Sequence, residues 1–196
     1  MSRKNGIVRK ILIIIGVCFI ASAIILLSAW QWKIHSSLNQ TDQYLNSIYE
    51  AIPEPQGAVL EEQSNNYMPI LSVSETDFVG IIEFPAYNSS LPVGNDWGKL
   101  SDYPCRFAGS VYDRTLQIGA TSQKGQYDFY RDISVGDRVL FTDMAGNRYS
   151  FNVSNIKYSK NADKTSLTRE NSALTLFIKN IYSFEYIIVY CNVSSS

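Results

Sequence analysis

The sequence predicts an all-β domain set behind one membrane-spanning helix, and three observations carry that expectation. From Ile11 to Trp30, twenty residues run without a charge and are dominated by Ile, Leu, Val and Ala. From Asp77 onward the chain breaks into short β-branched and aromatic runs separated by turn residues. Two such runs near the end, Leu174 to Ile178 and Tyr186 to Val193, flank a short polar stretch that opens with Lys179. Strand ends of this kind hold a side chain rigidly while leaving it exposed.

The first ten residues form a basic tail with Arg3, Lys4, Arg9 and Lys10. Residues 11–32 are read as a transmembrane signal-anchor helix, because about twenty residues at about 1.5 Å rise span a bilayer core of about 30 Å. Trp30 and Trp32 suit the headgroup region, and four cations before the span against Lys33 after it place the N-terminus in the cytoplasm. The rest of the chain is then extracellular. Ala21-Ser22-Ala23 has the small residues of a signal-peptidase site, but Ile24-Ile25-Leu26-Leu27 follow it and the apolar run outlasts a signal-peptide core, so the uncleaved anchor is favoured.

Residues 33–76 are polar, carry Pro53, Pro55, Gly57 and Pro69, and read as an extracellular linker, partly helical. Leu38, Leu45, Ile48 and Ile52 recur at helical spacing, predicting a short amphipathic helix from about Ser37 to Ala51 that Pro53-Glu54-Pro55 stops. Residues 77–194 supply the β domain, a size and strand spacing that fit a closed barrel or a sandwich. Strands are expected at Phe78 to Phe84, Thr115 to Ile118, Arg138 to Thr142, Tyr149 to Val153 and Ile156 to Tyr158, then the two final runs. A hairpin is expected at Asp143 to Asn147 and a helical turn at Gln126 to Arg131.

Composition narrows the function classes. A formal net charge of −1 leaves no electrostatic footprint for nucleic acid. Asp96, Asp102 and Asp113 are not spaced as a calcium loop, and no zinc spacing or phosphate-cradling glycine motif occurs, so no metal or cofactor is expected. Three cysteines do not make a disulfide scaffold: Cys18 lies in the apolar span, and Cys105 and Cys191 either pair or stay as buried thiols. Tyr127, Phe129 and Tyr130 fit a peptide-binding surface and barrel filling equally well.

Several segments in order resemble the sortases. They are Asp77-Phe-Val-Gly-Ile-Ile-Glu-Phe-Pro85, Leu91-Pro-Val93, Pro104-Cys-Arg-Phe-Ala-Gly-Ser110, Leu116-Gln-Ile-Gly-Ala120, Ile133 to Asn147, and Leu174-Thr-Leu-Phe177. Sortases are membrane-anchored cysteine transpeptidases of Gram-positive bacteria that cut a sorting signal and join the protein to cell wall or pilus. The resemblance covers about Asp77 to Val193 and implies an eight-stranded closed β-barrel with short helices. It also implies a site made of a cysteine after the Thr-Leu-x-Thr strand, a histidine after an Ala-Gly turn and an arginine opening the last strand. The thiolate attacks the threonine carbonyl of an LPxTG-like signal, the imidazole moves protons, and the guanidinium supports the oxyanion.

None of the three is present at its place. The histidine position is Ala120, the cysteine position is Lys179, and the arginine position is Tyr186 or Glu185, depending on how the last strand is overlaid. The one histidine of the chain, His35, lies three residues past the span. Alanine moves no proton, and an ammonium is no acyl nucleophile until it is deprotonated. The resemblance therefore implies a catalytically degenerate sortase fold. Its barrel would act as a binding, regulatory or structural module in cell-wall sorting or pilus assembly, with a sorting-signal peptide, a surface or pilin protein, or an active sortase as partner.

Two alternatives stay open. Thr121 and Ser122 follow the vacated histidine position, and a desolvated lysine can serve as base to a hydroxyl, which gives a Ser/Thr-Lys hydrolase or a rearranged transpeptidase acting on LPxTG-like peptides. Glu185 could instead pair with Lys179. Because the departures occupy cleft positions, Ala120→His, Lys179→Cys and Tyr186→Arg together are expected to leave the fold intact.

Overall fold

The computed structural model describes residues 2–57, 67–160, 172–183 and 185–194. The chain forms two compact units, Met1–Asn39 and Gln40–Ser196. Helix α1 (Ser2–Ala51) is 50 residues long, and its Leu12–Trp32 stretch of 21 residues is long and apolar enough to cross a membrane. Leu38 lies where side chains fall outside the described residues.

The second unit is a barrel, and its strands follow from alternation. After β1 (Gln56–Gly57) and β2 (Leu71–Val73) come β3 (Thr76–Phe84), β4 (Ser89–Gly94), β5 (Cys105–Ala108), β6 (Leu116–Thr121), β7 (Arg138–Asp143), β8 (Asn147–Ser159), β9 (Leu174–Lys179) and β10 (Tyr186–Val193). Neighbours run β8-β10-β9-β6-β5-β4-β3, and β7 pairs with both β3 and β8, which closes a ring of 8 strands. Closure leaves no free edge in the ring. The interior is filled by alternate strand residues, among them Ile82 and Phe84 of β3, Leu116 and Ile118 of β6, Phe151 and Val153 of β8, Leu174 and Leu176 of β9, and Ile187 and Val189 of β10.

Two neighbouring runs of the sequence turn out to be one strand. Tyr149 to Val153 and Ile156 to Tyr158 belong to the 13-residue β8. The polar Ser154-Asn155 pair that resembles a break is a bulge, where β10 steps from Asn155↔Tyr190 to Val153↔Cys191. Ser154 satisfies the kink by donating its hydroxyl to the Tyr190 carbonyl at 3.0 Å.

The helical turn expected at 126–131 takes the form of consecutive turns closed by i→i+3 bonds, with the Tyr130 N–H donating to the Tyr127 carbonyl at 3.1 Å. Its aromatics are core: Tyr127 and Tyr130 are buried, and Phe129 packs against them.

Part of the stretch read as a spacer is packed structure. Leu45, Ile48 and Ile52 are buried against Phe78, Ile81, Tyr103, Cys105 and Met144 on the outside of the barrel wall, so the helical periodicity of residues 45–52 has a partner. β2 pairs antiparallel with β3, and β1 pairs in parallel with the start of β8. The expected hairpin joins β7 to β8. Gly146 takes φ +83° there, a conformation that glycine adopts without strain.

Candidate functional site

Three strand ends meet in one row. In the parallel β6–β9 pair, Ala120 lies opposite Ile178 and Thr121 opposite Lys179. In the antiparallel β9–β10 pair, Lys179 lies opposite Tyr186. The topology thus gathers Thr121, Lys179 and Tyr186 side by side although they are far apart in sequence.

The alternation of each strand says which way these residues face. Leu176 and Ile178 fill the barrel, whereas Phe177 belongs to a separate outer cluster with Ile188 and Tyr190. Lys179, two residues from Phe177, shares that outer face, as Tyr186 shares the face of Ile188. On β6, Leu116, Ile118 and Ala120 are all in the barrel core. Ala120 is 1% exposed. The position that the resemblance gives to histidine therefore faces inward, and the outward neighbour of Lys179 is Thr121. The burial of Ala120 weighs against the expectation that restoring histidine, cysteine and arginine together would leave the fold intact, because an imidazole at Ala120 has to enter a filled core.

The two hydroxyls beside Lys179 differ in what they do. Thr121 is buried and its Oγ1 is closed off from solvent without a hydrogen-bond partner. Ser122, also buried, continues the strand by donating its N–H to the Lys179 carbonyl at 3.0 Å, and its Oγ accepts the Ile181 N–H at 3.2 Å. Glu185 sits in the β9–β10 turn, where its carbonyl accepts the Asn180 N–H at 2.8 Å and a carboxylate oxygen accepts the Ser183 hydroxyl at 3.4 Å. No ion pair joins it to Lys179; an ion pair does form between Arg148 and Glu83, at 2.7 Å.

Two residues that organise the site carry no motif. Asn180, buried, accepts from the N–H groups of Tyr182 and Ser183 and donates Nδ2 to the Tyr130 hydroxyl at 2.8 Å. An asparagine just after a strand is an Asx-turn signal. Gln126, also buried, accepts the Thr121 N–H on Oε1 at 2.9 Å and donates Nε2 to the Leu100 carbonyl at 3.1 Å. Nothing local announces that role, since Leu100 is 26 residues away.

The thiols are not part of the row. Cys105 and Cys191 are both free and buried, Cys191 in the barrel core and Cys105 under the end of α1. Burial pushes the Cys105 thiol up to about 12, with the Asp96 and Asp102 carboxylates adding to it. Burial alone raises Cys191. Both are thus held as neutral thiols at physiological pH, the opposite of a poised nucleophile. His35 lies within α1, and its side chain falls outside the described residues. Among the described residues no group of His, Cys, Asp and Glu is placed to hold a metal ion.

No protein-family model matches the chain, and no curated protein does. Solved structures do. Sortase A from Corynebacterium diphtheriae superposes with a TM-score of 0.52 at 17% identity, over 83% of this chain and 85% of that one. Its lid mutant gives 0.53 at 16% identity, over 63% and 73%. The pilus-related sortase C of Group B Streptococcus gives 0.52 at 19% identity, over 64% and 70%. At these identities the likeness is one of architecture, and it agrees with the closed ring of strands: the barrel of this chain has the sortase fold.

Proposed function

We propose that this chain is a membrane-anchored sortase-fold protein without transpeptidase activity. Its N-terminus lies in the cytoplasm and its barrel outside the cell, and the barrel serves as a binding, regulatory or structural module in cell-wall sorting or pilus assembly. The observation that carries the reading is the row Thr121–Lys179–Tyr186 at the meeting of β6, β9 and β10. Acyl transfer on this scaffold needs a thiolate and a proton carrier, and the row offers an amine, a closed-off hydroxyl and a phenol. The outer face still presents strand ends, aromatic rings and one cation. Such a surface suits an extended peptide held without being cut.

A Ser/Thr-Lys hydrolase is the second reading, favoured by the register that sets Thr121 beside Lys179. Against it stand the buried Thr121 Oγ1 and the engagement of Ser122 Oγ with the 180–183 turn.

The test is a fluorescence-anisotropy titration of the full chain, in detergent micelles, against labelled LPxTG-like peptides, a purified pilin and an active sortase. At least one should bind saturably, and Lys179→Glu should weaken that binding. Flat titrations against all three would sink the binding role.

A further inference from the structure

The loop between β4 and β5 is tethered where it leaves the ladder, by the Gly94↔Cys105 pair and by the Asn95 N–H donating to the Asp77 carbonyl at 2.8 Å, and returns across the outer face of the barrel. A three-residue 3-10 turn, Trp97–Lys99, is capped by the Asp96 carboxylate accepting the Gly98 N–H at 2.8 Å. From that turn the Trp97 indole lies over β6 and β9. Its ring centroid is 5.6 Å from Phe177 and 5.0 Å from Phe107, and Phe107 is 5.3 Å from Phe177. Gly119 makes room for it: a Cβ there would collide with the indole and come within 2.7 Å of the Phe177 ring.

The register locates this contact. Gly119 lies opposite Phe177, one step along the same outer face from Thr121 opposite Lys179. Trp97 thus covers the surface directly beside the candidate row. Two glutamines hold the loop down: Gln126 Nε2 donates to the Leu100 carbonyl, and Gln123 Nε2 donates to the Ser101 carbonyl. Gln126 also grips the Thr121 N–H, so the fastening that closes the loop is continuous with the end of β6.

We infer that residues 95–101 form a strap, latched by Gln123 and Gln126, whose Trp97 ring closes the outer face beside Lys179 and must lift before an extended peptide can lie across Gly119. The strap is built to move as a unit. Asp96 to Lys99 are exposed and no ladder bond holds them; Leu100, packed against the cluster under α1, is the hinge end, and the ring that seats the strap is itself 39% exposed. Segments with few buried contacts open at lower free energy than the barrel beneath them. This inference rests on the peptide-binding reading of the site, and its test separates the two.

In the full chain carrying Trp30→Phe and Trp32→Phe, Trp97 is the only one of the 3 tryptophans left, and acrylamide quenching in micelles reads its exposure without any ligand. Gln123→Ala with Gln126→Ala, and separately Gly119→Ala, should red-shift Trp97 emission and raise quenching toward that of the urea-unfolded chain. Circular dichroism should show an intact barrel. If Gln126→Ala unfolds the barrel, Gln123→Ala alone and Gly119→Ala decide. Unchanged emission and quenching in folded variants would overturn the strap. The second arm titrates a labelled LPxTG-like peptide. Opened variants should bind about fivefold more tightly for each latch bond removed, because the closed fraction no longer dilutes the competent state. Equal affinity of latched and opened chains would overturn the gating. A strap that opens while no peptide binds would leave the device standing and refute the peptide-binding reading.

Discussion

Asp143→Ala should lower the stability of the barrel by about 3–5 kcal/mol, the loss expected when a buried, fully bonded carboxylate is removed. The side chain is 0% exposed. One oxygen accepts the N–H groups of Ala145 and Asn147, both at 2.9 Å, and so fastens the β7–β8 turn. The other accepts the Asn147 Nδ2 at 3.0 Å, the Tyr112 hydroxyl at 2.8 Å and the Tyr149 hydroxyl at 3.4 Å. A carboxylate in such a place is stabilised by dipoles alone. Its removal strands the two buried tyrosine hydroxyls and unfastens the turn N–H groups of Ala145 and Asn147. Both tyrosines gain from it as well: burial first, and then the bond to Asp143, raises Tyr112, while Tyr149 is raised by burial and the same carboxylate's charge. Urea unfolding followed by circular dichroism reads the effect as a large drop in midpoint, and a change under about 1 kcal/mol would show that the turn does not depend on the carboxylate.

Ala120→His should cost about 3–4 kcal/mol, from overpacking plus an imidazole whose polar atoms find no partner in the barrel. Ala120 sits in the same core as Ile118 and Ile178, and its strand neighbour across the parallel ladder is Ile178. Lys179→Cys and Tyr186→Arg, on the half-buried outer row, should each stay within about 1 kcal/mol of the parent, as surface substitutions do. Thermal unfolding of the three single variants makes the comparison. An Ala120→His variant as stable as the other two would mean that β6 turns Ala120 outward and that the core assignment is wrong.

The barrel was legible because its signals are local. The Asp143 to Asn147 turn carries its own chemistry, and β9 and β10 are rich in β-branched, aromatic and other apolar residues. β4 escaped because Pro92 and Gly94 disfavour a strand, yet pairing with β3 overrides that preference. The bulge at Ser154 hid the continuity of β8, since one unpaired polar residue looks like a turn until its partner strand is known. Leu45, Ile48 and Ile52 showed the face of a helix but not the wall that covers it. At the site, spacing located the row, while the inward facing of Ala120 needed the register, because one residue's slip moves a side chain to the opposite face. Gln126 and Trp97 act through contacts distant in sequence, as does the Asn180 Nδ2 on the Tyr130 hydroxyl.

The central claim is that the row at Lys179 does not transfer acyl groups. Mass spectrometry of LPxTG-like peptides incubated with the full chain in micelles and an amine acceptor tests it most directly. The peptides should be recovered whole and unlinked, with parent and Lys179→Ala chains indistinguishable. Cleavage or acceptor transfer by the parent that Lys179→Ala abolishes would contradict it.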